Sequence, residues 1–171
     1  GISWVNIGVM VCAFLFIPGA ALGVGSYVEA KVDKLGDPSS LLEKARIFLR
    51  HLPGPLLPKD FSVDKHCRFM NFMNPENGAT IVGEVGDNVG RGGRTAFYFV
   101  DEAAHFEHQE AVDAALSMNT PCRIYASTVN GHNAFWKKRM SLPEERVFVF
   151  DWRDDPRKDD EWYRQQCIEL D

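Results

Sequence analysis

What this 171-residue chain lacks narrows its possible roles. It lacks a positive charge balance: 19 Lys and Arg stand against 24 Asp and Glu, a net charge of −5. A domain of that sign offers no general basic surface to nucleic acid, so any DNA contact is local or supplied by another part. It lacks a CxxC pair. Cys12, Cys67, Cys122 and Cys167 are scattered, which argues against a zinc site or a disulfide framework and fits free thiols in a reducing compartment. Charged side chains are missing altogether from residues 1–28. Even so, the apolar run 4–17 is shorter than the roughly 20 residues of a membrane-spanning helix. Pro18-Gly19 breaks it, and no Lys or Arg precedes it as a signal segment requires. No membrane span is expected. The run reads instead as a buried helix over 3–16, followed by a buried strand of small residues over 20–25. What remains is ordinary for a globular protein, 45% hydrophobic and 25% charged, at a length that buries one core.

Short elements fill the middle of the chain. Residues 29–35 read as a brief helix closed by Gly36, and Asp37-Pro38-Ser39 opens another over 41–52. In the second, Leu41, Leu42, Ala45, Phe48, Leu49 and Leu52 share one face, which puts Glu43, Lys44, Arg46 and Arg50 outside. Pro53, Pro55 and Pro58 interrupt regular structure. Residues 68–73 and 79–85 read as strands joined through Asn74-Pro75-Glu76-Asn77-Gly78, whose Asn-Gly signals a hairpin at a sheet edge. Residues 86–94 form a flexible glycine-rich loop carrying Arg91 and Arg94. Arginines in such a loop are either solvated or present guanidinium groups to phosphate, within reach of a neighbouring subunit's nucleotide.

The chemistry concentrates in Ala96-Phe97-Tyr98-Phe99-Val100-Asp101-Glu102. Residues 97–100 are apolar β-formers and read as a strand buried on both faces. An Asp at the end of such a strand loses hydration unless a cation or hydrogen bonds compensate. Ligands of open α/β sheets bind at the carboxyl ends of strands. Four hydrophobes followed by Asp-Glu form the Walker B pattern, in which Asp holds magnesium and Glu deprotonates the attacking water. The same residues also suit a plain strand that caps the next helix. His105 and His108 read as a polar helix start rather than as metal ligands. A short amphipathic helix over 109–118 leads to a strand over 121–126. Its tip, Ser127-Thr128-Val129-Asn130-Gly131, suits an ordinary turn or hydrogen bonds to a γ-phosphate or lytic water. Residues 133–140 are helical, with Lys137, Lys138 and Arg139 as either a solvated face or a DNA grip. Residues 146–150 read as another buried strand, and 159–170 as a charged closing helix.

Taken in order, these motifs resemble the ATPase domain of the large terminase subunit of tailed bacteriophages or prophages, over nearly the whole chain. Gly1-Ile2-Ser3-Trp4 resembles the tail of a variant phosphate loop whose lysine lies several residues before the Ser. On these residues alone, Ser3 reads as a plain helix N-cap. Residues 74–78 and 83–92 resemble the family's approach to Walker B, residues 97–102 its Walker B, and 127–131 its coupling motif. The tract 152–157 resembles the exit towards a lid. The resemblance implies an α/β fold: a three-layer α/β/α P-loop NTPase core with a mainly parallel sheet over 1–150, its first strand and most of the phosphate loop missing, and the start of a lid or linker over 151–171. It implies ATP and Mg2+ as cofactors, with Asp101 and Ser3 on the metal and Glu102 activating water. Arg91 would act on a neighbour's site, Gly1 and Ser3 would touch nucleotide, and Ser127, Thr128 and Asn130 would couple hydrolysis to movement. The function so implied is the ATPase core of a motor that drives double-stranded DNA into a viral procapsid, in the bacterial cytoplasm at the portal. Its implied partners are DNA, the small terminase subunit, the portal protein and further copies in a ring. A helicase-like P-loop motor and a non-catalytic assembly module remain alternatives. No spaced acidic triad for two metals is present, so no nuclease is expected.

Overall fold

Six strands join in one sheet in the computed structural model, which describes residues 1–170. They are β1 (Ala21–Ser26), β2 (Cys67–Arg68), β3 (Asn71–Met73), β4 (Thr80–Val85), β5 (Phe97–Asp101) and β6 (Arg123–Ala126), in the spatial order β2-β3-β4-β1-β5-β6. β4, β1, β5 and β6 run parallel, while β2 and β3 add an antiparallel edge to β4. The α/β fold with a mainly parallel sheet expected from the sequence is present. Because four neighbouring strands share one direction, their carboxyl ends, Val85, Ser26, Asp101 and Ala126, line a single edge. The helices are α1 (Ile2–Phe16), α2 (Glu29–Val32), α3 (Leu41–His51), α4 (Val63–His66), α5 (Gln109–Asn119), α6 (Ala134–Ser141) and α7 (Asp160–Leu170). The chain divides into two compact units, residues 1–136 with the whole sheet and a second from Lys137 onward. Asp171, the last residue of the expected lid or linker, lies outside the described residues.

Strand alternation builds the two sides of the sheet. Phe97 and Phe99 of β5 join Leu22, Val24 and Ile81 in a core with Ile7, Met10, Val11 and Phe14 of α1 and with Leu41, Leu42 and Leu49 of α3. Tyr98 and Val100 face the other way, onto Val89, Phe106 and Val112 and Leu116 of α5. Helices therefore cover both faces, in three layers. The strong apolarity of α1 does not mean full burial. One face carries the core residues, while Ile2, Val5, Val9 and Phe16 are exposed. Among the described residues no helix is long and apolar enough to cross a membrane.

α3 departs from the amphipathic reading. Glu43, Lys44 and Arg46, expected on the outside, are each no more than 4% exposed. Arg46 forms a two-pronged ion pair with Asp33, at 2.6 Å and 3.0 Å, and a third contact with Glu43 at 3.2 Å. The Met70 amide donates to the same Asp33 carboxylate at 2.7 Å, and the Arg46 guanidinium lies 5.0 Å from the centre of the Phe72 ring. The Arg46 side of α3 is thus covered by the β2–β3 segment, and Asp33, Glu43 and Arg46 are paired rather than solvated.

The second unit also differs from expectation. Residues 147–150 form no strand, and Phe148 is 76% exposed. Apolar alternation supplies a face but not a partner, and no neighbouring strand pairs with this run among the described residues. Beyond it, Asp151 and Asp154 form a reciprocal cap on the turn Trp152–Asp154, and the Trp152 and Tyr163 rings stack at 4.9 Å.

Two outcomes follow from the core. Arg46→Met leaves Asp33 buried without its partner and lowers stability by about 3–5 kcal/mol in urea denaturation; a loss within error of zero would show the pair to be dispensable. Burial pushes the Cys67 thiol up to about 12, whereas Cys12, Cys122 and Cys167 are exposed. Iodoacetamide at neutral pH therefore labels those three and spares Cys67 until the chain is unfolded.

Candidate active site

Asp101 closes β5 at the aligned edge. Burial raises its carboxyl above the usual range, the adjacent Glu102 charge adds to the rise, and the Lys44 ammonium opposes it. Lys44 is 4% exposed, donates to the Ser39 carbonyl at 2.5 Å and lies 5.7 Å from the centre of the Trp4 ring, in the first turn of α1. Burial lowers the Lys44 pKa, with Asp101 acting against that effect. The buried Lys44 thus lies beside the start of α1 and, with Lys31, opposes the rise at the end of β5. The sequence reading missed it, because an apolar stripe on α3 carries no sign that the opposite face is covered.

The direction of α1 explains the meeting. Asn74 and Asn77, in the turn leading into β4, donate to the Phe14 carbonyl at 2.9 Å and 3.2 Å. That turn lies at the amino end of the parallel strands, so the amino end of α1 lies at their carboxyl edge. Gly1 caps the helix, and Ser3 sits inside its first turn. The N-cap reading of Ser3 is therefore incorrect. Its hydroxyl makes no hydrogen bond among the described residues, to Asp101 or to anything else, and Gly1 is exposed.

Glu102 has φ +55° and ψ +42°, a left-handed backbone that costs a side-chain-bearing residue about 1–2 kcal/mol. The turn sends its carboxylate towards the tip of β6. Ser127 Oγ is 3.5 Å and His105 Nε2 3.6 Å from Glu102 Oε2. Ser127 Oγ accepts from the Ala104 amide at 3.1 Å, and Thr128 Oγ1 lies 3.3 Å from His105 Nε2. The Ala104 carbonyl accepts from the side-chain amides of Gln109, Asn130 and Asn133 at 2.9 Å, 3.1 Å and 3.1 Å. Glu102, Ser127, Thr128 and Asn130 are therefore brought together, around residues 104 and 105.

Arg91 is not among them. Its neighbour Gly90 touches Leu116 and accepts from Asn119, at the far end of α5, whereas Gln109 begins that helix beside Ala104. Nor is the glycine-rich loop loose. The Gly90 and Gly92 amides each donate to the Glu84 carboxylate at 2.6 Å. Arg91 itself is exposed. Gly90 and Gly92 serve close approach: a Cβ on Gly90 would press into Leu116, and one on Gly92 would collide with Glu84 Oε1.

The residues at this edge suit a hydrated magnesium ion. Asp101 is desolvated beside a second carboxylate. Ser26, fully buried on β1 level with Asp101, has a hydroxyl without a partner among the described residues. An orphaned buried hydroxyl costs about 1–3 kcal/mol unless something fills the need. Among the described residues no group of three His, Cys, Asp or Glu could hold a metal by itself. Mg2+ takes one or two carboxylates and completes its shell with water and phosphate oxygens.

No family model matches the sequence, and no curated protein does. Among solved structures, a mutant ATPase domain of the large terminase of Thermus phage P74-26 matches with TM-score 0.54 at 16% identity, over 84% of this chain and 62% of that one. This chain has the fold of a large terminase ATPase domain. Another structure of that terminase domain matches with TM-score 0.48 at 16% identity, over 80% and 59% of the two chains. The chain thus spans about three fifths of the terminase domains it matches. At this identity the terminase likeness is one of fold.

The left-handed backbone at Glu102 has a thermodynamic signature. Glu102→Gly removes its strain at a smaller entropic cost of about 0.5–1 kcal/mol, so the variant gains up to about 1 kcal/mol in thermal denaturation. A loss of stability would show that no strain is held there.

Proposed function

We propose that this chain is the ATPase core of a viral DNA-packaging motor, hydrolysing ATP with Mg2+. The observation that carries the reading is the acidic pair at the end of an interior parallel strand, its second carboxylate turned towards the β6 tip. In this reading Asp101 and the Ser3 hydroxyl hold the metal, while the Gly1–Ser3 end of α1 meets nucleotide phosphate. The bound Mg2+ would supply charge to the phosphate oxygens.

Glu102 accepts a proton from the attacking water, with Ser127 and His105 fixing its carboxylate. Lys44 opposes the rise that burial imposes on the Asp101 carboxyl. Ser127, Thr128 and Asn130 report the state of Glu102 to β6 through residues 104 and 105. Arg91, remote from its own acidic pair, acts on a neighbouring copy, which requires a homo-oligomeric ring. Double-stranded DNA, the small terminase subunit and the portal protein are the proposed partners, met in the cytoplasm of a bacterial host. With a net charge of −5, DNA contact falls to local groups such as the Lys137 to Arg139 cluster rather than to the whole surface.

Glu102→Gln tests the reading in the full-length protein. The variant binds ATP with near-normal affinity by calorimetry, and its turnover falls by about 10²–10⁴. Hydrolysis at a near-normal rate would remove Glu102 from the role of base.

A further inference from the structure

Between the acidic strand and Arg91 runs a continuous hydrogen-bonded path. Tyr98 lies on β5, three positions before Asp101, and is 2% exposed. Its ring crosses β1 to reach β4. The crossing is open because β1 carries Gly23 and Gly25 on that side; a Cβ at Gly23 would overlap the Tyr98 ring, and one at Gly25 would lie 3.1 Å from its hydroxyl. On the far side the Tyr98 hydroxyl donates to Glu84 Oε2 at 2.7 Å, nearer than the Val24 carbonyl at 3.3 Å. The Glu84 carboxylate accepts at the same time from the Gly90 and Gly92 amides, the two residues flanking Arg91, at 2.6 Å each. Three donors on one carboxylate, one of them a buried phenol, fix the loop backbone on both sides of Arg91. Asn119 binds the Gly90 carbonyl, and the Arg91 amide donates to Asn88 at 3.0 Å. Only the Arg91 side chain is left to project from this held backbone.

We infer that Glu84 and Tyr98 are positioning residues: they form a strut that sets where Arg91 stands relative to the strand bearing Asp101 and Glu102. The inference rests on the reading of Arg91 as acting on a neighbouring copy. Its physical content is separate. A guanidinium that must meet another subunit's phosphate loses about 10²-fold in rate when misplaced by about 1 Å. A glycine-rich loop without a brace would not hold it that closely. The strut runs inside one subunit from its own acidic strand, so a displacement of β5 is transmitted to the arginine offered to the next.

The test uses full-length assembled protein and four variants. Arg91→Ala lowers kcat for ATP by at least about 10². Tyr98→Phe removes the phenol donor and lowers kcat by about 10-fold to 10²-fold, with KM for ATP little changed. Gly92→Ala, at an exposed residue away from the core, drives a Cβ into Glu84 and gives the same kcat loss even where Tyr98→Phe folds poorly. In the Arg91→Ala background neither substitution lowers kcat further. Mixing Tyr98→Phe or Gly92→Ala copies with Glu102→Gln copies restores activity, because the latter lend an intact Arg91 to competent acidic pairs. If Arg91→Ala lowers kcat but the strut substitutions add to it in full, or if mixing restores nothing, the inference is overturned while the reading of Arg91 stands. If Arg91→Ala leaves kcat unchanged, the reading and the inference fall together.

Discussion

The site depends on a carboxylate that has been half withdrawn from water. Asp101 ends a strand whose faces are covered by α1 and α3 on one side and α5 on the other, so its ionised form loses hydration. Glu102 beside it makes that worse. Within the chain the resulting rise in the Asp101 pKa is opposed by Lys44, buried on α3 and packed near Trp4 at the start of α1, and by Lys31. Lys44 explains why α3, an element without a place in the acidic motif, belongs to the site's electrostatics.

The β5 strand serves three purposes through alternation. Its odd-numbered residues Phe97 and Phe99 hold the α1 and α3 layer, and its even-numbered residues Tyr98 and Val100 hold the α5 layer. Its last residue then emerges at the edge where the parallel strands end together. The glycines of β1 complete the design, because a side chain at Gly23 or Gly25 would block the Tyr98 ring from crossing to Glu84. Small residues in β1, read from the sequence only as packing, are there to let an aromatic ring pass.

How much could be read in advance follows from the range of each interaction. Local signals were legible: the hairpin at 74–78, the apolar strand ending in Asp101 and Glu102, the polar tip of β6, the extents of α1, α3 and α5. Interactions between distant segments were not. Glu43, Lys44 and Arg46 sit on the polar side of α3, and periodicity cannot reveal that the β2–β3 segment lies over Arg46 or that Lys44 packs by Trp4. The loop 86–94 has the composition of a flexible linker, yet its amides are bound by a carboxylate six and eight residues earlier. Residues 147–150 alternate like a strand and find no ladder. Ser26 and the left-handed Glu102 leave no mark in sequence at all.

The Ala104 carbonyl has one further implication. It receives three side-chain amides, from Gln109, Asn130 and Asn133, although a carbonyl oxygen offers two lone pairs. The donors compete, and withdrawal of any one lets the other two tighten. Loss of a single amide at this junction is therefore buffered, whereas a shift of residue 104 itself unfastens the start of α5 and the tip of β6 in one event. The joint tolerates sequence drift in its donors and answers sharply to movement of its acceptor.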